Sequence, residues 1–318
     1  MNIGIVGNGM IVGMFLRDAA LVEDANIISL CVRPGSLEKG RKIAEEHHIP
    51  TLKTEYDEFL KNPDMDAVYV GISNLVHYEY AKKALEAGKH VILEKPFTVT
   101  SQEAKDLVAL AKDKHLFLWE AFIIPYLPSY HAVKEAAASV GNVKLIQANF
   151  SKISSRYAQY LKGEILPAFD LSLAGGALYD LNVYNLHLTV SLFGKPKAAH
   201  YYPTKGYNGV DTSGIAVLEY DTFNAVCCAG KDSTSPSGYM VQGDLGTLQI
   251  EGSASTLAKI LFSDKSGTRI LTEFDGENKL SYELREFIRQ YETNDYNSCY
   301  QMLEHSVAVT EVIDELLN

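Results

Sequence analysis

The chain has 318 residues, 47% of them hydrophobic and 22% charged, with 29 Lys and Arg against 40 Asp and Glu, a formal charge of −11. That length suggests about two domains of roughly 150 residues each, and the composition is that of a folded globular protein, not of a disordered chain. The acidic balance, with no dense run of Lys and Arg, argues against a nucleic-acid or anionic-membrane partner.

Cys31, Cys227, Cys228 and Cys299 form no CxxC or Cys/His spacing and read as reduced thiols. No HExxH, paired His or carboxylate cluster has ligand spacing, so no metal is expected. The N-terminal residues lack the basic start of a signal peptide, and no uninterrupted apolar run reaches about 18 residues. A cytoplasmic location is the resulting expectation.

In chain order, the first third alternates short β-branched runs with amphipathic stretches, the pattern of a parallel sheet covered by helices. Residues 3–6 predict the first strand and 25–32 the second, followed by a helix starting near Ser36 with Leu37, Ile43 and Ala44 on one side. Residues 66–70 and 90–93 read as buried strands. Between them, 76–87 predicts a helix that places Ala81, Ala84 and Leu85 together and ends at Gly88, where a left-handed C-cap belongs. A helix over 101–114 and a strand over 116–119 complete this part.

After about residue 122 the pattern changes. Pro125 and Pro128 punctuate it, and strands expected over 143–150, 214–220, 225–229, 247–251 and 258–262 alternate as in an antiparallel sheet with one covered face. Helices are expected over 176–193, 280–290 and 298–317. The fold class is therefore α/β: a doubly wound parallel sheet over 1–121, then an α+β domain over 122–318 with a large, mostly antiparallel open sheet.

The first strand runs into Gly7-Asn8-Gly9-Met10-Ile11-Val12-Gly13 and an apolar helix. This is the strand-turn-helix context of a Rossmann fingerprint: Gly7 permits the tight turn, Gly9 admits a pyrophosphate, and the helix N-terminus at Met10 and Ile11 offers N–H groups and a positive dipole end. The third fingerprint position is Val12, so close packing of helix on strand must be met differently. A plain tight turn is the other reading. Where an acidic residue would hold an NAD ribose stands Arg33, with Ser36 close behind. A cation and a hydroxyl suit a 2′-phosphate, which favours NADP with NAD possible; Lys39 and Arg41 lie near enough to add charge. An ordinary solvated Arg is the alternative.

Residues 70–77 read Val-Gly-Ile-Ser-Asn-Leu-Val-His, and 87–96 read Ala-Gly-Lys-His-Val-Ile-Leu-Glu-Lys-Pro. Together with Glu120-Ala121 and Gly175-Gly176-Ala177-Leu178-Tyr179-Asp180, these resemble the glucose-fructose oxidoreductase/inositol dehydrogenase (Gfo/Idh/MocA) family. There a Pro-Asn-x-x-His turn follows the fourth strand and AGKHV-x-x-EKP ends the fifth. The pattern Asp180-x-x-x-Tyr184 looks most like the dimeric dihydrodiol dehydrogenase and glucose-fructose oxidoreductase branches, where inositol dehydrogenases have His in place of Tyr. Two positions depart from the family: Ser73 replaces Pro, and Pro125 stands where many members carry Arg.

The resemblance implies an NAD(P)-dependent dehydrogenase or reductase moving a hydride between nicotinamide and a secondary alcohol of a sugar, polyol or cyclic diol. It makes Lys95 the catalytic lysine, able to hydrogen-bond the substrate oxygen and lower a neighbouring pKa. It places Ser73, Asn74, His77, Glu94 and Lys95 at the cofactor; the other readings are helix capping for Ser73 and Asn74, a solvated Glu94 and a surface Lys95. Asp180, Tyr184 and His187 stand at i, i+4 and i+7, so a continuous helix puts them on one face. Tyr184 is then the acid/base and Asp180 orients the substrate or Lys95. Otherwise Asp180 caps a helix, Tyr184 packs as a core aromatic and His187 is structural.

Arg156, Tyr157, Tyr160 and Phe169-Asp170 suit ring recognition or an ordinary surface loop. The resemblance also implies a homo-oligomer through the second sheet. The rival functions are an NAD-dependent glycoside hydrolase on the same fold and a non-catalytic NADP sensor.

Overall fold

A computed structural model describes all 318 residues. The chain forms two compact units, Met1–Ala121 with Asn278–Val307, and Phe122–Glu277 with Ala308–Asn318. A single cut at residue 122 therefore misplaces 278–307, which pack with the first unit.

The first unit is built from β1 (Asn2–Val6), α1 (Met10–Ala19), β2 (Asn26–Cys31), α2 (Leu37–Glu46), β3 (Thr51–Lys53), α3 (Tyr56–Leu60), β4 (Ala67–Val70), α4 (His77–Glu86), β5 (His90–Glu94), α5 (Ser101–Asp113) and β6 (Leu118–Ala121). Its six strands run parallel in the order β3-β2-β1-β4-β5-β6. Strand order reverses between β1 and β4, and ligands of such sheets gather beyond the carboxyl ends at that point.

β4 and β6 are buried throughout, as parallel strands covered on both faces must be. α1 buries Val12, Phe15, Leu16 and Ala19 at helical spacing, the Val, Phe and Leu side chains contributing about 1.5–3 kcal/mol each. Thr100, one residue before the expected start, caps α5 by accepting from the Glu103 N–H, and Glu103 bonds back to form a capping box. The expected cap at Ser36 is not made; Ser36 ends a short 3-10 turn, Pro34–Ser36, and its side chain caps nothing. The short β3 and α3 lie below the length at which periodicity is readable.

The second unit contains α6 (Tyr130–Ser139), β7 (Val143–Ser151), α7 (Tyr157–Tyr160), a π turn (Leu178–Asn182) leading into α8 (Val183–Phe193), and then β8 (Ala198–Lys205), β9 (Asp211–Glu219), β10 (Asn224–Gly230), β11 (Gly238–Gly243), β12 (Thr247–Glu251), β13 (Lys259–Asp264) and β14 (Gly267–Glu273). The sheet order is β14-β13-β12-β11-β7-β10-β9-β8. Every neighbouring pair is antiparallel except β7 with β10. Burial alternates along β9 and β12, so one face is covered. α8 lies on β7 and β10, and α6 on β12 and β13.

Two C-terminal helices follow, α9 (Leu280–Thr293) and α10 (Tyr296–Leu317). Specific bonds tie α9 into the first unit. Asp18, 1% exposed, accepts from the Leu280 N–H at 3.0 Å, and the Trp119 indole donates to Gln290 Oε1 at 2.8 Å. No helix is long and apolar enough to cross a membrane.

Candidate functional site

In the first unit the site is built on the loops leaving β1, β2, β4 and β5. Gly7 has φ +117°, a conformation that disfavours a side chain, and a Cβ there would overlap the Gly71 carbonyl oxygen. The turns after β1 and β4 thus touch backbone to backbone. The close packing that Val12 denies to the third fingerprint position is supplied from the other side: Val12 is fully buried, and a Cβ on Gly71 would meet its Cγ2 at 3.0 Å.

A Cβ on Gly9, by contrast, would meet nothing within 4 Å. Gly9 stands at the N-cap of α1 with no side-chain cap, and the first turn holds no acidic residue. The leading N–H groups of α1, with the exposed Met10 and the half-buried Ile11, form an open, electropositive cradle that fits a pyrophosphate.

Arg33 is exposed at the end of β2, at the N-cap position of the Pro34–Ser36 turn. Of the two cations expected to reinforce it, Arg41 is paired at the surface with Glu38 at 2.6 Å. Ser73 and Asn74 are half-buried at the start of a 3-10 turn, and Ser73 makes no side-chain cap.

His77, expected at the cofactor, is bonded within the protein. It is fully buried, with Nδ1 2.9 Å from Pro96 O and Nε2 3.3 Å from Ile72 O. A neutral imidazole carries one N–H, and the shorter contact is the better place for it. Burial, and then the Lys95 charge, push its pKa down against the pull of these carbonyls. His77 laces the loop after β5 to the loop after β4.

Glu94 is likewise 5% exposed, and its carboxylate accepts from the Tyr69 hydroxyl at 2.7 Å. Burial raises it to about 7, opposed by that hydrogen bond and by Lys95. The half-buried Lys95 follows Glu94 directly and its charge acts on it, while Glu120, 4% exposed on β6, adds a second carboxylate whose charge reaches both Glu94 and His77.

In the second unit Asp180 lies within the π turn and Tyr184 at the start of α8, both half-buried. The Tyr184 ring lies 5.8 Å from Phe150 on β7. His187, three residues after Tyr184 on α8, is 1% exposed with its ring stacked on Phe122 at 4.4 Å.

Two residues missed in the sequence hold this region. Lys231, 1% exposed, contacts Asp180 Oδ2 at 2.8 Å. Asp211 accepts at Oδ2 from the Leu178 N–H at 2.7 Å and the Tyr201 hydroxyl at 2.6 Å, pinning the entrance of the π turn. Lys231 reads as the start of the polar run Lys-Asp-Ser-Thr-Ser, and Asp211 as the end of a Gly/Asn-rich turn; only their partners distinguish them.

Of the residues expected to recognise a ring, several belong to the fold instead. Tyr160, 2% exposed, stacks on Phe169 at 4.7 Å and on Tyr207 at 4.5 Å, and Asp170 caps its own turn by accepting from the Ser172 N–H at 2.9 Å. Arg156 and Tyr157 remain half-buried. No group of three or more His, Cys, Asp or Glu is placed to hold a metal ion.

Comparison with known proteins agrees with this architecture. The model of the GFO_IDH_MocA family, an oxidoreductase family with an NAD-binding Rossmann fold, matches residues 1–122. The chain is 30% identical over 319 residues to scyllo-inositol 2-dehydrogenase (NADP(+)) IolU of Bacillus subtilis, covering 99% of this chain and 95% of that protein. It is 27% identical over 329 residues to trans-1,2-dihydrobenzene-1,2-diol dehydrogenase of Xenopus tropicalis, covering 99% and 94%.

Among solved structures, the 3-ketoreductase KijD10 of Actinomadura kijaniata, crystallised with NADP and TDP-benzene, superposes with a TM-score of 0.86 at 20% identity over 100% of this chain and 97% of that one. That likeness establishes the shared fold. The Rossmann turn, the family match and a relative at 30% identity along almost the whole length make this chain a member of the Gfo/Idh/MocA family of oxidoreductases.

Proposed function

We propose that the chain is an NADP-linked dehydrogenase or reductase acting on a ring CH–OH group of a polyol or cyclic diol. The observation that carries this reading is the likeness to scyllo-inositol 2-dehydrogenase (NADP(+)) along 99% of the chain. Arg33 supports the choice of NADP: it is exposed at the end of β2, where a carboxylate would select the unphosphorylated ribose. A charge-assisted bond from its guanidinium to a 2′-phosphate is worth about 1.5–3 kcal/mol.

The dinucleotide, when bound, supplies or accepts the hydride at the reacting carbon. The residues of the chain do the rest. Gly9 and the N-terminus of α1 hold the pyrophosphate. Lys95 hydrogen-bonds the substrate oxygen and stabilises the negative charge that grows on it. Tyr184 takes the proton from the alcohol, or returns it to the carbonyl, through its hydroxyl. Asp180 accepts a hydrogen bond from a neighbouring substrate hydroxyl and so fixes which carbon reacts. Glu94 and His77 act beneath Lys95 as supports, since both are buried and bonded to the protein.

The test is turnover of scyllo-inositol, myo-inositol, trans-1,2-dihydrobenzene-1,2-diol and an aldose, glucose, with NADP+ and with NAD+, followed by nicotinamide absorbance. The proposal expects reduction of cofactor with at least one inositol or the diol, and a kcat/KM at least tenfold higher with NADP+. No turnover on any of the four with either cofactor contradicts it.

A further inference from the structure

Lys231 is the first residue after β10, and its backbone is held on both sides: its N–H donates to Thr212 O at 2.7 Å, and its carbonyl accepts from the Ser154 N–H at 2.8 Å. From this fixed root the side chain runs inward to 1% exposure. Its ammonium donates to Ala168 O at 2.6 Å, lies 4.8 Å from the centre of the Phe169 ring and contacts Asp180 Oδ2 at 2.8 Å.

The pair is lopsided. The lysine is desolvated while the Asp180 side chain is 45% exposed, so one end of the ion pair is sealed in the protein and the other faces outward. Burying an ammonium and freezing its long stem is costly, and an apolar side chain of the same size commonly serves stability as well or better. What an apolar side chain does not supply is a fixed direction for the carboxylate above it.

We propose that Lys231 is the positioning residue of Asp180: through its buried ammonium it holds the Asp180 carboxylate in one orientation to receive a hydroxyl of a polyhydroxylated substrate, and couples it to the 167–170 turn through Ala168 O. The inference rests on the reading of Asp180 as a substrate-binding residue. Asp180 has two oxygens with room for about four hydrogen bonds. Anchoring one oxygen from below sets the direction in which the half-exposed carboxylate faces, which is what selecting one carbon of a ring with several similar hydroxyls requires. Because Lys231 works through Asp180, its removal weakens substrate use and leaves the dinucleotide site, on the other unit's sheet, untouched.

The experiment compares Lys231→Met, Asp180→Asn and the double variant with wild type, using the best substrate of the four-compound panel. NADPH affinity and thermal midpoint are measured alongside. Lys231→Met is expected to lower kcat/KM for the polyol 10- to 100-fold, with NADPH affinity unchanged and the protein folded. The double variant is expected to be no slower than Asp180→Asn.

Should Lys231→Met fail to fold, Lys231→Gln, which keeps donors for Asp180 and Ala168 O without the charge, carries the same comparison with a smaller loss. A Lys231 variant within twofold of wild type while Asp180→Asn is slow overturns the inference and leaves the role of Asp180 standing, as does a double variant whose losses multiply. Wild-type rates in Asp180→Asn overturn both. Crystals of Lys231→Met give a reading independent of turnover: the inference expects the Asp180 carboxylate in more than one conformer, and one unchanged conformer contradicts it.

Discussion

The Tyr69 hydroxyl, on β4, donates a 2.7 Å hydrogen bond to the Glu94 carboxylate at the end of β5, and the Tyr69 ring is itself stacked on Phe15 of α1 with centroids 3.8 Å apart. The residue preceding Lys95 is thereby fastened to the helix whose N-terminus forms the pyrophosphate cradle.

This arrangement predicts a pH signature. The folded pKa of Glu94, about 7, lies above its ordinary value of 4.5. Between those values the folded chain keeps a proton that the unfolded chain has lost. The contribution of this carboxyl to stability is therefore complete below pH 4.5 and is lost as the pH rises through 7. Glu94→Gln removes the titration while keeping the size. Urea unfolding is expected to find the variant close to wild type at pH 4.5 and more stable by about 1–3 kcal/mol at pH 8. A difference that does not change with pH refutes the account of Glu94.

The two glycines of the first turn are expected to fail in different ways. Gly7→Ala places a Cβ at positive φ against the Gly71 carbonyl and should cost more than about 2 kcal/mol of stability. Gly9→Ala meets no protein atom within 4 Å. Stability should change by less than about 0.5 kcal/mol, while NADPH affinity, followed by fluorescence titration, should fall at least tenfold because the methyl group stands in the pyrophosphate's place. Equal loss of stability in the two variants would count against this geometry.

Cofactor preference should depend on one exposed side chain. Arg33→Ala is expected to weaken NADPH binding by about 10- to 100-fold and to leave NADH binding within about twofold. The neighbouring Arg41→Ala, already paired with Glu38 at 2.6 Å, should change the ratio little. An unchanged NADPH/NADH ratio in Arg33→Ala removes the assignment of NADP.

Much of the first unit is legible in the sequence because its signals are local. The strand ahead of Gly7, the helices ending near Gly88 and starting near Ser101, and the AGKHV–EKP stretch each declare themselves within about ten residues. The second unit is harder for physical reasons. β8 carries Pro203, β11 is bounded by Gly238 and Gly243, and β14 is exposed along nearly all its length, so none shows clean alternation.

The candidate site divides in the same way. Lys95, Asp180 and Tyr184 carry motif signals, but Lys231 becomes significant only when folding brings it to Ala168 and Asp180, 63 and 51 residues away in sequence. His187 shows the converse. Its i+7 spacing from Asp180 marks it in the sequence, while the fold buries it to 1% exposure against the Phe122 ring.

The central claim, that Lys95 stabilises the substrate oxygen while Tyr184 moves the proton in an NADP-linked alcohol oxidation, is tested most directly by steady-state turnover of Lys95→Ala and Tyr184→Phe on the panel substrate that wild type uses best, with NADPH affinity measured on the same preparations. Loss of a positioned acid/base group costs about 100- to 10,000-fold in rate. Both variants are predicted to fall in kcat by that much and to bind NADPH as wild type does. Near-wild-type kcat in both, with cofactor binding intact, would contradict the account.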